Sequence, residues 1–282
     1  MKSELSAETI RVWLRTQYIG RTIYYWPAIT STNDELRRLA EQGAPEGSLA
    51  ITDEQLSGRG RMQRKWIAPP GSSLLMSLLF RPTFLAPAQA QQLTMICSLA
   101  AADAVTQVTG AQVDLKWPND LLLEGKKLGG VLTELGFAHT PANWHSASGG
   151  DHQDVLAWAI VGVGLNVNVD FTSRTIRLHW PELADVAISL SAFLGRPVPR
   201  LPLLQSYLSG VETRYEALRA QDSPYQEWVE RLATLGQQVT VGTPHGVYQG
   251  LAEGVDEAGA LLLRLPDDRV QRVLTGDVTL RS

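Results

Sequence analysis

The segment that most limits how this chain can fold is Ser73-Leu74-Leu75-Met76-Ser77-Leu78-Leu79-Phe80. Apolar nearly throughout, it reads as a strand buried on both faces. Such a strand needs a sizeable core around it. With 282 residues, 44% hydrophobic against 19% charged, the chain can supply one, as one large domain or two unequal ones. The same balance excludes disorder as the main state.

The neighbouring elements follow from local signals. Ser6 is placed to cap a first helix with Ile10, Trp13 and Leu14 on one face. Thr32 and Glu35 have capping-box spacing ahead of Leu36, Leu39 and Ala40, and Gly43 ends that helix. Residues 48–52 read as a strand, and 89–109 as a long helix stopped by Gly110. Val113, Leu115 and Trp117 alternate with polar residues as a half-buried strand, with further strands at 130–135 and 157–169. Residues 138–154 have almost no apolar periodicity and read as a long exposed loop. Leu203, Leu204, Tyr207, Leu208, Val211, Tyr215 and Leu218 fall at helical spacing within 202–219. Short strands at 238–241, 247–251, 261–265 and 270–274, separated by Gly and Asp turns, suggest a small β-barrel. Strands and helices mixed without a βαβ rhythm predict an α+β fold.

Lys and Arg number 25 against 29 Asp and Glu, a net charge of −4, which disfavours bulk binding of phosphate backbones. The lone Cys97 cannot form an intramolecular disulfide, and no thiol cluster exists to hold zinc. Within its apolar run it reads as a buried, inert thiol. No segment has the length of a membrane span, and Met1-Lys2-Ser3-Glu4 does not open a signal peptide. A cytoplasmic location is the resulting expectation.

Four segments carry polar residues that local structure does not require. Ser31, Thr32 and Asn33 stand at a helix entry, where they either cap the helix or receive a polar ligand. Between Gln55 and Trp66, Arg59, Arg61, Arg64 and Lys65 crowd a loop whose glycines, Gly58 and Gly60, allow close backbone approach. The loop is either a solvated basic turn or an anion site. It is neither a dinucleotide fingerprint nor a Walker loop. Lys116-Trp117-Pro118-Asn119-Asp120, followed by Lys126-Lys127-Leu128-Gly129-Gly130, reads as a plain hairpin or as lysines bracketing an anion beside a carboxylate. Gly162 and Gly164 weaken an apolar strand unless an aromatic ring, a base or a crossing helix packs on the bare backbone.

In order and spacing, Ser-Thr-Asn, Gln-x-x-Gly-Arg-Gly-Arg-x-x-Arg-x-Trp, Lys-Trp-Pro-Asn-Asp, Lys-Leu-Gly-Gly and Gly-x-Gly-x-Asn together resemble the biotin protein ligase family. The resemblance runs from about Tyr24 to the final Gly-Asp-Val-Thr-Leu-Arg. It implies a catalytic domain over 1–234 with the α+β fold of class II aminoacyl-tRNA synthetases, a mixed sheet with flanking helices. A small SH3-like β-barrel over 235–282 follows. It also implies activation of biotin by ATP and Mg²⁺ as biotinyl-5'-AMP, then transfer to a lysine of a biotin carboxyl carrier domain of acetyl-CoA carboxylase or a related carboxylase.

By the same resemblance, Ser31, Thr32, Asn33, Gln55, Arg59, Gly60, Arg61 and Lys127 bind biotin. Arg61, Trp66, Lys116, Asn119, Asp120 and Asn166 serve ATP and the adenylate. Lys127, Arg61 and Asp120 carry the chemistry, and no dense metal cage is expected, since phosphates and water hold Mg²⁺. With two glycines, four cations and no apolar anchor before Trp66, the 58–65 loop is expected to stay unfixed until ligand anions neutralise it. Gln63 departs from the usual glycine and makes the loop less permissive. About twenty residues before Tyr24 supply one helix, too little for a DNA-binding unit, so no repressor role, no nucleic acid and no membrane are expected. A monomer or a homodimer fits equally. The alternatives are a lipoate or octanoate ligase or transferase of the same superfamily, and a regulatory module that has lost catalysis.

Overall fold

The computed structural model describes residues 5–138, 155–244 and 246–280. The 138–154 loop expected from the sequence lies almost wholly outside them. Seven strands build a mixed sheet: β1 (Ile23–Ile29), β2 (Leu49–Gln55), β3 (Ser73–Phe80), β4 (Asp114–Lys116), β5 (Asp120–Leu123), β6 (Lys126–Ala138) and β7 (Val155–Asn166). Their order is β1-β2-β3-β7-β6-β5-β4, with β1 and β2 parallel and the other pairs antiparallel. All eight residues of β3 are buried, as its composition requires.

Helices cover both faces. On one face α2 (Thr32–Glu41) lays Leu36 and Ala40 on Ala50, Leu79 and Ile160. The opposite face is covered by α3 (Gln91–Thr109), which packs on β6 and β7, and by α7 (Arg200–Arg219), which packs on α3 and reaches β3. The shorter α1 (Ala7–Trp13) precedes β1. The short helices α4 (Arg174–His179), α5 (Leu183–Val186) and α6 (Leu190–Leu194) lie between β7 and α7, and α8 (Tyr225–Glu230) follows α7. Cys97 is buried in α3, where desolvation pushes its thiol up to about 12, an inert group as expected.

Three local expectations need correction. Ser6 caps α1 reciprocally with Thr9, and Ile10 and Leu14 are buried, but Trp13 is 68% exposed, so the apolar face is narrower than the spacing suggests. The cap of α2 is Ser31, whose Oγ accepts from Asp34 N, while Thr32 is already helical and turns its hydroxyl to Gln55. Finally, β1–α2–β2 is a βαβ unit hidden by Pro27. A proline inside a strand is tolerated here because β1 is the sheet edge.

A second, antiparallel sheet follows: β8 (Gln238–Thr243), β9 (Gly246–Val255), β10 (Leu261–Arg264), β11 (Val270–Val273) and β12 (Asp277–Leu280), ordered β11-β10-β9-β8-β12. The sequence reading missed β12, which pairs with β8. Among the described residues no ladder joins β12 to β11, so the five strands form one antiparallel sheet that hydrogen bonds do not close. Trp117 ties the two sheets together, its Nε1 donating to Gly259 O at 2.8 Å.

Candidate active site

Strand periodicity decides which side chains meet. Ile160, Gly162, Gly164 and Asn166 share the β7 face toward α2, opposite Glu134, Leu132 and Gly130 of β6. The two glycines leave a trough there, and other parts fill it. A Cβ on Gly162 would stand 2.2 Å from Asn33 Oδ1, and one on Gly164 would stand 2.6 Å from the Trp66 ring. A crossing helix and an aromatic ring therefore both pack on the bare backbone, one at each glycine.

Over this trough opens a cavity of about 260 Å³. Ser31, Thr32, Asn33, Gln55, Arg59, Gly60, Arg61, Trp66, Asn119, Asp120, Lys127 and Asn166 all line it. Lys116 does not, although it stands directly across the β4–β5 ladder from Asp120. Segments spread over more than a hundred residues of sequence thus converge on one space. Phe171, Leu183, Val186 and Ala187 close its apolar side, a contribution no polar motif announced.

One end is a chain of neutral hydrogen bonds. Gln55 Oε1 accepts from Thr32 N at 2.8 Å and lies 3.1 Å from Thr32 Oγ1. Ser77 Oγ lies 2.7 Å from Thr32 Oγ1 and 2.6 Å from Asn33 Oδ1. The other end is charged. Lys127 Nζ donates to Asp120 Oδ1 at 2.6 Å and sits 6.0 Å from the centre of the Trp66 ring. The carbonyl of Lys127 accepts from Asn166 Nδ2 at 3.4 Å and from Ile188 N at 3.0 Å, which fixes the backbone under the ammonium. Arg61 reaches from Asn119 Oδ1 at 3.2 Å to Thr275 Oγ1 at 2.6 Å, spanning the two sheets. Burial lowers its pKa from the ordinary guanidinium value, while Asp277 and Asp120 raise it.

Two family models match the chain: the biotin/lipoate A/B protein ligase family over residues 25–143, and the biotin protein ligase C terminal domain over 234–281. The bifunctional ligase/repressor BirA of Bacillus subtilis is 32% identical over 98% of this chain and 79% of its own length. The biotin--[acetyl-CoA-carboxylase] ligase of Paracoccus denitrificans is 31% identical over 85% of this chain and 92% of its own. The chain belongs to the biotin protein ligase family. The biotin protein ligase from Aquifex aeolicus, solved in complex with biotin and ATP, superposes with a TM-score of 0.71 at 25% identity, covering 93% of this chain and 99% of that one.

Within this ligase fold the 58–65 loop carries internal hydrogen bonds of its own. It closes as a small hairpin, with Gly60 N to Arg64 O at 2.7 Å and Trp66 N to Gly58 O at 2.9 Å. Two of its four cations pair with acids inside the chain. Arg59 pairs with Asp34 at 2.7 Å and Glu134 at 2.9 Å, and Arg64 pairs with Asp277. Acids on α2, β6 and β12 thus offset the charges of Arg59 and Arg64. Met62 takes the left-handed conformation, φ 51°, directly before Gln63, a backbone cost of about 1 kcal/mol. Sequence reasoning missed Ser77, Glu134, Thr275 and Asp277. Only the Gly-Asp of the C-terminal motif gave any signal, for Asp277.

Proposed function

We propose that this cavity binds biotin beside ATP and joins the two. A biotin carboxylate oxygen attacks the α-phosphorus, the bond to the β-phosphate oxygen breaks, and pyrophosphate leaves. A neutral lysine amine of the acceptor then attacks the anhydride carbonyl, AMP departs with the bonding electrons, and the amine gives up a proton. The acceptor is the biotin carboxyl carrier domain of acetyl-CoA carboxylase or a related carboxylase. The observation that carries this reading is the convergence, around one space, of a neutral hydrogen-bonding end and a cationic end.

Each end has its task. Biotin's ureido ring needs donors and acceptors to replace water, which Ser31, Thr32, Asn33 and Gln55 offer beside an apolar wall. A carboxylate approaching an anionic phosphate is repelled until cations offset both charges, the work of Lys127, Arg59 and Arg61. Asp120 orients Lys127 and accepts or relays the acceptor amine's proton. Trp66 packs against the adenine, with Lys116, Asn119 and Asn166 completing the nucleotide side.

Among the described residues no group of three or more His, Cys, Asp or Glu could hold a metal by itself. Mg²⁺ would be carried mainly by phosphate oxygens and water, and Asp120, which lines the cavity, is the carboxylate that would face its hydration shell. When bound, the ion would lower the negative charge on the phosphates. We set the domain limits at 1–234 and 235–282. We place the enzyme in the cytoplasm, as a monomer or homodimer working without nucleic acid. No helix among the described residues is long and apolar enough to cross a membrane.

Intact mass spectrometry of a carrier domain incubated with the protein, biotin and Mg-ATP tests this. One added biotin on a single lysine is expected; no gain in mass, or equal transfer of lipoate or octanoate, overturns it.

A further inference from the structure

Glu134 lies on β6 beyond every motif the sequence singled out, yet it touches both the Ser-Thr-Asn segment and the cationic loop. Period two along the strand places it on the same face as Gly130 and Leu132, which line the cavity. Its Oε2 accepts from Asn33 Nδ2 at 2.8 Å, and both its oxygens accept from Arg59 NH2, at 3.0 and 2.9 Å. Its side chain is 23% exposed, so this polar junction is only partly screened by water.

Chemistry fixes the Asn33 amide through this contact. The Glu134 carboxylate and the Leu132 carbonyl, 3.3 Å from Nδ2, can only accept, so the NH₂ group must face them. Asn33 Oδ1 must then face Ser77 and pack on the bare backbone of Gly162. A carbonyl oxygen has two acceptor sites. Ser77 takes one; the second is the one that a ligand N–H, the group a cyclic urea presents, would use. Were the amide reversed, Asn33 would offer donors there and repel such a ring. The Glu134 charge also holds Arg59 beside Asn33, so the ring site and the cationic loop share one anchor.

We propose that Glu134 is a positioning residue for this ligase. It sets which face of Asn33 meets the biotin ring, and it tethers Arg59 at that edge of the cavity. The inference rests on the biotin reading of the cavity. It gives Asn33 a defined polarity, and it makes Glu134 a determinant of selection for N–H donors in the ligand.

Three forms of the protein test it by calorimetric titration with biotin alone, followed by KM and kcat for pyrophosphate release. Glu134→Gln keeps an acceptor for Asn33 Nδ2 but removes the charge that Arg59 needs. Glu134→Ala removes both, and far-ultraviolet circular dichroism checks that each remains folded. In Glu134→Ala, biotin affinity is expected to fall at least tenfold and KM for biotin to rise in step, a larger change than in kcat at saturating biotin. Glu134→Gln is expected to recover most of that affinity.

If the ion pair with Arg59 were the whole role, Gln and Ala would lose affinity equally, and that result overturns the assignment of Asn33 polarity. Unchanged affinity in Glu134→Ala, with wild type binding biotin normally, overturns the proposal and leaves the ligase reading standing. Failure of the wild type to bind biotin overturns both. Should Glu134→Ala not fold, the Gln form decides alone. It must bind biotin within about threefold of wild type, and a loss of tenfold or more in it contradicts the proposal.

Discussion

Lys127 Nζ and Asp120 Oδ1 lie 2.6 Å apart across the β5–β6 hairpin, so the cavity's central cation is oriented by an acid already in place. With Lys127 38% exposed on its side chain, the pair adds little to stability. On the proposed reading of the cavity its value is catalytic. Lys127→Ala should leave the fold intact and cost about 3 kcal/mol or more in the adenylation transition state, roughly a hundredfold or greater in rate. Biotin-dependent pyrophosphate release by a folded mutant measures this, and near-normal release contradicts it.

The two glycines of β7 should separate the two halves of the site. Gly162→Ala forces Asn33 aside and is expected to raise KM for biotin. Gly164→Ala forces the Trp66 ring aside and is expected to raise KM for ATP. Overpacking of this kind costs about 1–3 kcal/mol in stability. Steady-state kinetics with each substrate varied in turn will show whether the effects separate; identical effects of the two substitutions would deny the division.

Arg61 clasps the loop to the second sheet through Thr275 while holding Asn119. A mixed anhydride reacts with any amine it meets, so retention matters as much as activation. Arg61→Gly should weaken retention more than it slows adenylation. Streptavidin blots of bystander protein, at matched pyrophosphate release, should show new labelling. Labelling confined to the acceptor would place retention elsewhere.

Lys116 gives a pH-dependent prediction. Burial lowers its pKa below 10.5, with Asp120 opposing that and Lys127 reinforcing it. In the window between the lowered value and 10.5 the unfolded chain binds the extra proton, so the wild type gains stability as pH rises through it. Lys116→Met removes a desolvated charge and should stabilise the fold most at neutral pH, the advantage shrinking as pH approaches 10.5. Denaturant midpoints at pH 7 and pH 10 check the sign.

What the sequence disclosed, and what it hid, follows from the range of the interactions. Ser73–Phe80 announced a buried strand because all eight of its side chains face protein. Gly162 and Gly164 announced that something packs on them, but not that it would be Asn33 and Trp66, since those contacts form only after the sheet is assembled. The cap at Ser31 was misplaced by one residue because Thr32 fits the same local pattern; its hydroxyl is claimed by Gln55, 23 residues away. Glu134 and Asp34 look like ordinary acids on a strand and in a helical first turn. Nothing local says that both would hold Arg59. Thr275 lies 214 residues from Arg61, beyond any pattern a short motif could carry.

The most direct test of the central claim is pyrophosphate release by the wild-type protein with Mg-ATP when the acid offered is biotin, lipoate or octanoate. Release with biotin, and only background with the other two, is the predicted result. Release with lipoate or octanoate at a rate equal to biotin, or none with biotin, would contradict it.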